Sequence, residues 1–254
     1  MTPYVHTDSV VRKIWGKSDT ILFIFSGAAA EFALNKAVDW LYFTGRLPAD
    51  PIGRLFSTVS YARQIVFASK EEAEKAIDKI TSIHSAVEKG RGAKIPDWAY
   101  RDVLFMLIHY SIAAYELLEK RLSAQEKEDI YEVFLRIGLR MNIPGLPTTY
   151  TQWLPVREAH IKNDLMLSRY TDDLFLQYRK HLGSFRYKVL REAQVLVVPK
   201  NIAQILHFKK ISLLFAVVPL YKAARWLKLD GPIKRLLLPS GYIKQIKDLD
   251  VVPY

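Results

Sequence analysis

Apolar positions recur at three- and four-residue spacing along nearly the whole chain, and alternating runs of the kind that make strands are almost missing. The pattern predicts helices over about 19–43, 51–68, 70–89, 96–121, 124–141, 151–167, 171–182 and 203–227. Punctuation agrees with several of these ends. Asp50-Pro51 offers an N-cap followed by proline at the first helical position, Gly90 and Gly92 stand where a C-cap belongs, and Ser123 with Glu126 has capping-box spacing. The stretch IPGLPTTY, 143–150, is a loop. No linker, repeat or low-complexity segment divides the chain, so the expectation is all-α: a single-domain helical bundle over residues 1–254.

Half of the 254 residues are hydrophobic and 12% are aromatic, enough for a sizeable core. With no cysteine, thiolate ligands, disulfides and a cysteine nucleophile are excluded, so a metal must be held by His or carboxylate. The N-terminal residues lack the pattern of a secretory signal, which makes cytoplasmic residence the expectation. The net charge of +11 is spread through ordinary helical mixtures without a nucleic-acid motif, so no nucleic-acid partner is expected. Two apolar stretches, from Thr20 and from Ile211, raise the question of a membrane. The first carries Glu31 and the second is short and holds Pro219, so burial or peripheral docking fits better than a span.

Two helices carry candidate chemistry. In 70–89, Ala73, Ile77, Ile80, His84 and Val87 share one face, which puts an imidazole in an apolar stripe. Such a histidine either finds a hydrogen-bond partner, stays neutral, or binds a metal. In 51–68, Arg54, Thr58 and Tyr61 align beside an apolar sector of Leu55, Phe56, Val59 and Val66. Spacing alone is also satisfied by a solvated face there; otherwise Arg54 is placed to bind an anion and Thr58 to donate a hydroxyl. His109, among Phe105, Met106, Ile112 and Ala113, is the rival ligand. His6, His160, His181 and His207 lie in more polar or terminal surroundings and read as surface residues. Zinc-protease, serine-hydrolase, Walker and dinucleotide motifs are missing.

The run Asp50-Pro51-Ile52-Gly53-Arg54-Leu55-Phe56-Ser57-Thr58, followed by Ile83-His84-Ser85-Ala86-Val87, resembles the DUF2236 family. That family includes the latex clearing proteins, or rubber oxygenases, and the fungal oxygenase MpaB. Its pattern has Arg and Thr four apart and then a His heading a His-x-x-Val run. Further likenesses are Pro96-Asp97-Trp98-Ala99-Tyr100, Leu107-Ile108-His109, the proline-rich loop after Asn142 and Leu236-Leu237-Leu238-Pro239, so that the similarity spans about 21–241. The resemblance implies a haem b pocket between core helices, with His84 as the iron ligand and Arg54 and Thr58 as cofactor-binding and catalytic groups. His109 is then a second haem-side candidate. It also implies O2 and a small hydrophobic, isoprenoid-like substrate whose C=C bond is oxidised or cleaved. The alternative is a non-enzymatic helical protein that binds haem or lipid, with possible peripheral membrane contact. Latex clearing proteins have a lysine immediately before the motif threonine, where this chain has Ser57. For the carboxylate that those enzymes carry on an earlier helix, Glu31 and Asp39 are the candidates, each of which is otherwise a solvated or paired side chain.

Overall fold

The computed structural model describes residues 2–227, 229, 249 and 250, and the Leu236–Pro239 likeness lies outside them. In chain order the helices are α1 (Val10–Trp15), α2 (Ser18–Phe32), α3 (Asp39–Phe43), α4 (Arg46–Ala49), α5 (Pro51–Phe67), α6 (Lys70–Arg91), α7 (Asp97–Leu118), α8 (Ala124–Arg140), α9 (Tyr150–Asn163), α10 (Arg169–Val197), α11 (Lys200–Ile205) and α12 (Leu214–Trp226). No strand occurs among the described residues, and the all-α expectation is met.

The predicted caps set several boundaries. Asp50 accepts the Gly53 N–H at 2.8 Å with Pro51 opening α5, and Ser69 and Ser123 form capping boxes with Glu72 and Glu126. Gly92 closes α6 with a φ of 69°, a left-handed conformation that glycine adopts without cost. Helix α1 escaped the periodicity argument because it is only six residues long, yet it buries Val10, Val11, Ile14 and Trp15.

Elsewhere the expected boundaries need correction. The run 19–43 is two helices, because the Asn35 side chain accepts the Ala37 N–H at 2.7 Å and donates to Asp102, diverting the backbone from helix. Helix α10 continues past its predicted end at 182. It bends at Gly183, where φ is 73°, and then resumes. The run 203–227 is split between α11 and α12, with His207 in a positive-φ conformation (51°) at the break.

Two apolar clusters, one centred on α1, α2, α7 and α8 and the other on the end of α2 with α9, α10 and α11, share Phe32 and Val198. Helices α2 and α7 form the central pair. Their close approach depends on Gly27. A methyl group there would lie 2.3 Å from two carbons of the Tyr110 ring, so the ring covers α2 at a point that only glycine leaves open. Glu31 is one turn farther along the same face, within reach of the Tyr110 hydroxyl at 2.8 Å. Gly27→Ala should therefore destabilise the fold by about 1–3 kcal/mol through forced displacement of a packed ring. Thermal or urea unfolding measures this, and an unchanged midpoint would contradict the packing argument.

Candidate functional site

Arg54, Thr58 and His84 are brought together by one helical hairpin. Helices α5 and α6 pack against each other across a joint at Ala68-Ser69, so residues at similar distances on either side of it come level. Arg54 and His84 stand at such positions. The Arg54 guanidinium donates to Thr58 Oγ1 at 3.2 Å, and the Thr58 hydroxyl donates to the Arg54 carbonyl one turn earlier, also at 3.2 Å.

The apolar stripe of α6 is not uniformly covered. Ala73 and Ile77 are fully enclosed, whereas Ile80, His84 and Val87 in the same stripe are only half-buried, as are Leu55 and Phe56 on α5. The far end of the hairpin thus leaves apolar surface partly uncovered around the imidazole. His84 packs edge-on to Tyr100, with ring centroids 5.2 Å apart, and its Nδ1 is buried without a hydrogen-bond partner. Burial first, and the nearby Arg54 charge second, hold its pKa below the ordinary 6.5 against the opposing pull of Glu88. Glu88 accepts from the Tyr100 hydroxyl at 3.1 Å and from the Ile95 N–H at 2.9 Å, fastening the start of α7 to the end of α6. At neutral pH the ring is uncharged and keeps a lone pair, the state that a metal ligand requires. Ser57, before the threonine, is exposed.

His109 belongs elsewhere. Its ring meets Tyr110 edge-on at 5.0 Å, and its charged neighbours are Arg157 and Glu31. Burial, reinforced by Arg157, pushes its pKa down to about 4.

That second region is a buried polar network that sequence reasoning missed. Glu31 from α2 accepts both terminal nitrogens of Arg157 from α9 at 2.5 Å, as well as the Tyr110 hydroxyl. Arg157 also lies 3.6 Å from Asp102 of α7, which pairs with His160 Nε2, while His160 Nδ1 is 2.7 Å from Asp164. Burial alone would raise the Glu31 pKa, but the Arg157 charge and its hydrogen bonds overcome this and lower it. Asp102 is pushed up to about 6, chiefly by burial, and His160 is raised by Asp102 in spite of its own burial. The surface reading of His160 is therefore corrected: it is 6% exposed. Glu31, of the two carboxylate candidates, is the buried and paired one, and Asp39 forms a partly exposed ion pair with Arg91 at 2.6 Å.

Glu31, Asp102 and His160 offer ligand atoms within 4.8 Å of one another and could hold a metal ion. Any such ion would compete with Arg157 for both Glu31 oxygens. The signals for this network were a lone carboxylate inside the apolar run SGAAAEFAL, and Trp153, Arg157 and His160 at four- and three-residue spacing on one helix face.

Removing one member of the Glu31–Arg157 pair should be far more damaging than removing both. Glu31→Gln alone should cost about 3–5 kcal/mol by stranding a buried guanidinium, and adding Arg157→Met should recover much of that loss. Because the folded-state pKa of Glu31 is depressed, its contribution is present above the unfolded carboxylate value and is lost as pH falls through the folded one. Urea unfolding of the single and double variants, repeated down an acid pH series, checks both statements; an additive double variant would refute the first.

Residues 13–228 match the protein family described as "ER-bound oxygenase mpaB/B'/Rubber oxygenase, catalytic domain", a span that includes the α5–α6 hairpin and the buried network. Comparison with curated proteins and comparison with solved structures return no match. With most of its length matched, the chain belongs to the mpaB/rubber oxygenase catalytic-domain family.

Proposed function

We propose that the protein is a haem b-dependent oxygenase acting with O2 on a small hydrophobic, isoprenoid-like substrate, and that His84 is the iron ligand. The observation that carries this reading is the buried His84 Nδ1, which has no hydrogen-bond partner and sits beside Arg54 at the half-covered end of a hairpin. An orphaned imidazole nitrogen costs about 1–3 kcal/mol, a penalty that a bound metal would remove. Haem iron would supply the redox chemistry by which O2 oxidises or cleaves a carbon–carbon double bond.

The chain's own groups have distinct tasks in this reading. His84 is kept neutral by burial and by Arg54, so that its lone pair remains available. Arg54 offers a cation to the carboxylates at the cofactor's edge, and Thr58 steadies its guanidinium. The half-buried Leu55, Phe56, Ile80 and Val87 supply the apolar contact that a macrocycle or an isoprenoid chain needs. Ser57 carries no amine, so a lysine cap on the iron is not provided from that position. His109, neutral and engaged with Tyr110 near Glu31, is the lesser candidate for a haem-side role.

The wild type, reconstituted with haemin, should show a Soret band and a positive pyridine haemochrome assay, and should consume O2 with a prenyl substrate. His84→Ala should lose haem or shift the Soret band while the far-UV spectrum stays helical. Arg54→Ala should retain less haem, and His109→Ala should perturb the spectrum less than His84→Ala. Since the His84 pKa lies below 6.5, proton competition for the ring should release haem only on acidification below the ordinary imidazole range. No haem binding by the wild type would remove the cofactor from the reading, and haem binding without O2 consumption would favour a carrier.

A further inference from the structure

A haem b carries two carboxylates on one edge, and a single guanidinium pairs fully with only one of them. Arg54 serves one. The face of α6 that carries His84 holds a candidate for the other.

Arg91 follows His84 by seven residues, so the two share a face of α6, about 10 Å apart along its axis. The Cα–Cβ bond of a helical residue tilts toward the helix N-terminus, which starts the Arg91 side chain back toward His84. Its guanidinium is held from two sides by α3. Nη2 donates to Asp39 at 2.6 Å, and the guanidinium carbon lies over the Trp40 ring, 4.0 Å from its centroid. The Phe43 ring is 5.6 Å away. Helix α3 buries none of its own residues, so these side chains clamp Arg91 rather than fill a core. Nη1 is buried and has no hydrogen-bond partner, while the side chain as a whole is 27% exposed and within reach of a ligand.

The other charged groups along this part of α6 do not take that role. Glu88, between His84 and Arg91, gives its carboxylate to the Tyr100 hydroxyl and the Ile95 N–H. Lys89 is exposed and, five residues from His84, stands on a different side of the helix. A guanidinium offers donors only, so the partner of Nη1 is an acceptor, and a planar carboxylate is the acceptor that its fork fits best. Because Asp39 and Trp40 already fix its orientation, little side-chain freedom is lost when the partner arrives.

We propose that Arg91 is a carboxylate-binding residue of the His84 site, with Asp39 and Trp40 as its positioning residues, and that the carboxylate is a propionate of haem. The inference rests on the haem reading and gives it a second anchor, two turns beyond the imidazole. A carboxylate on an apolar substrate has the same chemistry, and the test separates the two sources.

The test is titration of the full chain with haemin and with haemin dimethyl ester, in which both carboxylates are blocked, followed by the Soret band. Wild type should bind haemin more tightly than the ester. Arg91→Gln should lower haemin affinity about tenfold and leave ester affinity within about twofold, so that the gap between the two ligands narrows. Arg91→Lys keeps a cation beside Asp39 and should recover part of the haemin affinity. Equal loss of haemin and ester in Arg91→Gln would make its role structural and overturn the proposal. Unchanged haemin affinity would overturn the propionate assignment. In that event a Soret response to farnesoic acid over farnesol, abolished by Arg91→Gln, would assign the carboxylate to the substrate, and no such response would remove Arg91 from the site. Failure of wild type to bind either porphyrin would instead remove the haem reading, and this inference with it.

Discussion

The buried pair of Glu31 and Arg157 is the interaction around which the middle of the molecule is arranged. A carboxylate and a guanidinium removed from water each carry a desolvation cost of several kcal/mol, which is offset only by close, multiple hydrogen bonds. Both Glu31 oxygens are satisfied by Arg157, and one also accepts from Tyr110, so the positions of α2, α7 and α9 are fixed relative to one another by directional contacts rather than by apolar packing alone. Gly27 belongs to the same constraint, because the Tyr110 ring packs against α2 at Gly27 while its hydroxyl reaches the carboxylate one turn farther along. Asp102 and His160 extend the network toward Asn35, whose side chain ends α2 and sends the chain toward α3.

The two histidine environments contrast in a way that bears on function. In the α2–α7–α9 network the opposing charges are matched: Glu31 with Arg157, and Asp102 with His160. On the α5–α6 hairpin a cation stands beside an uncharged imidazole whose Nδ1 has no partner, with apolar side chains left half-covered around it. The first arrangement ties three helices together, and the second is the one proposed above to take a ligand. Family membership is compatible with this division, since residues 13–228 contain both.

How much of this the sequence discloses depends on the range of the interaction. Caps are local, so Asp50, Ser69 and Ser123 mark helix starts correctly, and the Arg54–Thr58 pair is legible because it lies within one turn. The meeting of that pair with His84 follows from a hairpin with a short joint, one step beyond local. Breaks caused by a side chain are harder. Nothing in the run 33–38 announces that Asn35 will be held by Asp102, a residue 67 positions away. The Glu31–Arg157 contact joins positions 126 apart, and periodicity says only that each lies on a face, never that the faces meet. The burial of His160 is hidden for the same reason: its neighbours Glu158, Lys162 and Asn163 are exposed, while Arg157 and His160 turn inward to meet Glu31 and Asp102 from distant parts of the chain. The inward turn of Tyr221 and Arg225 on α12 is equally non-local, since their partners Asp19 and Glu119 lie far away in the chain.

The joint between α5 and α6 has its own support. Residues near the N-terminus run alongside it, with Tyr4 donating its N–H to the Ala68 carbonyl at 3.1 Å and Lys70 donating to the Thr2 carbonyl at 2.9 Å. The first residues of the chain therefore act as a strap across the point from which Arg54, Thr58 and His84 are measured out. A residue inserted in α6 between Ile77 and His84 would turn the imidazole about 100° around the helix axis and carry it about 1.5 Å farther along. The strap, the caps and the first half of the stripe would be untouched. The residue count from the joint to His84, more than the identity of the residues between them, therefore sets the face of the hairpin on which the imidazole stands.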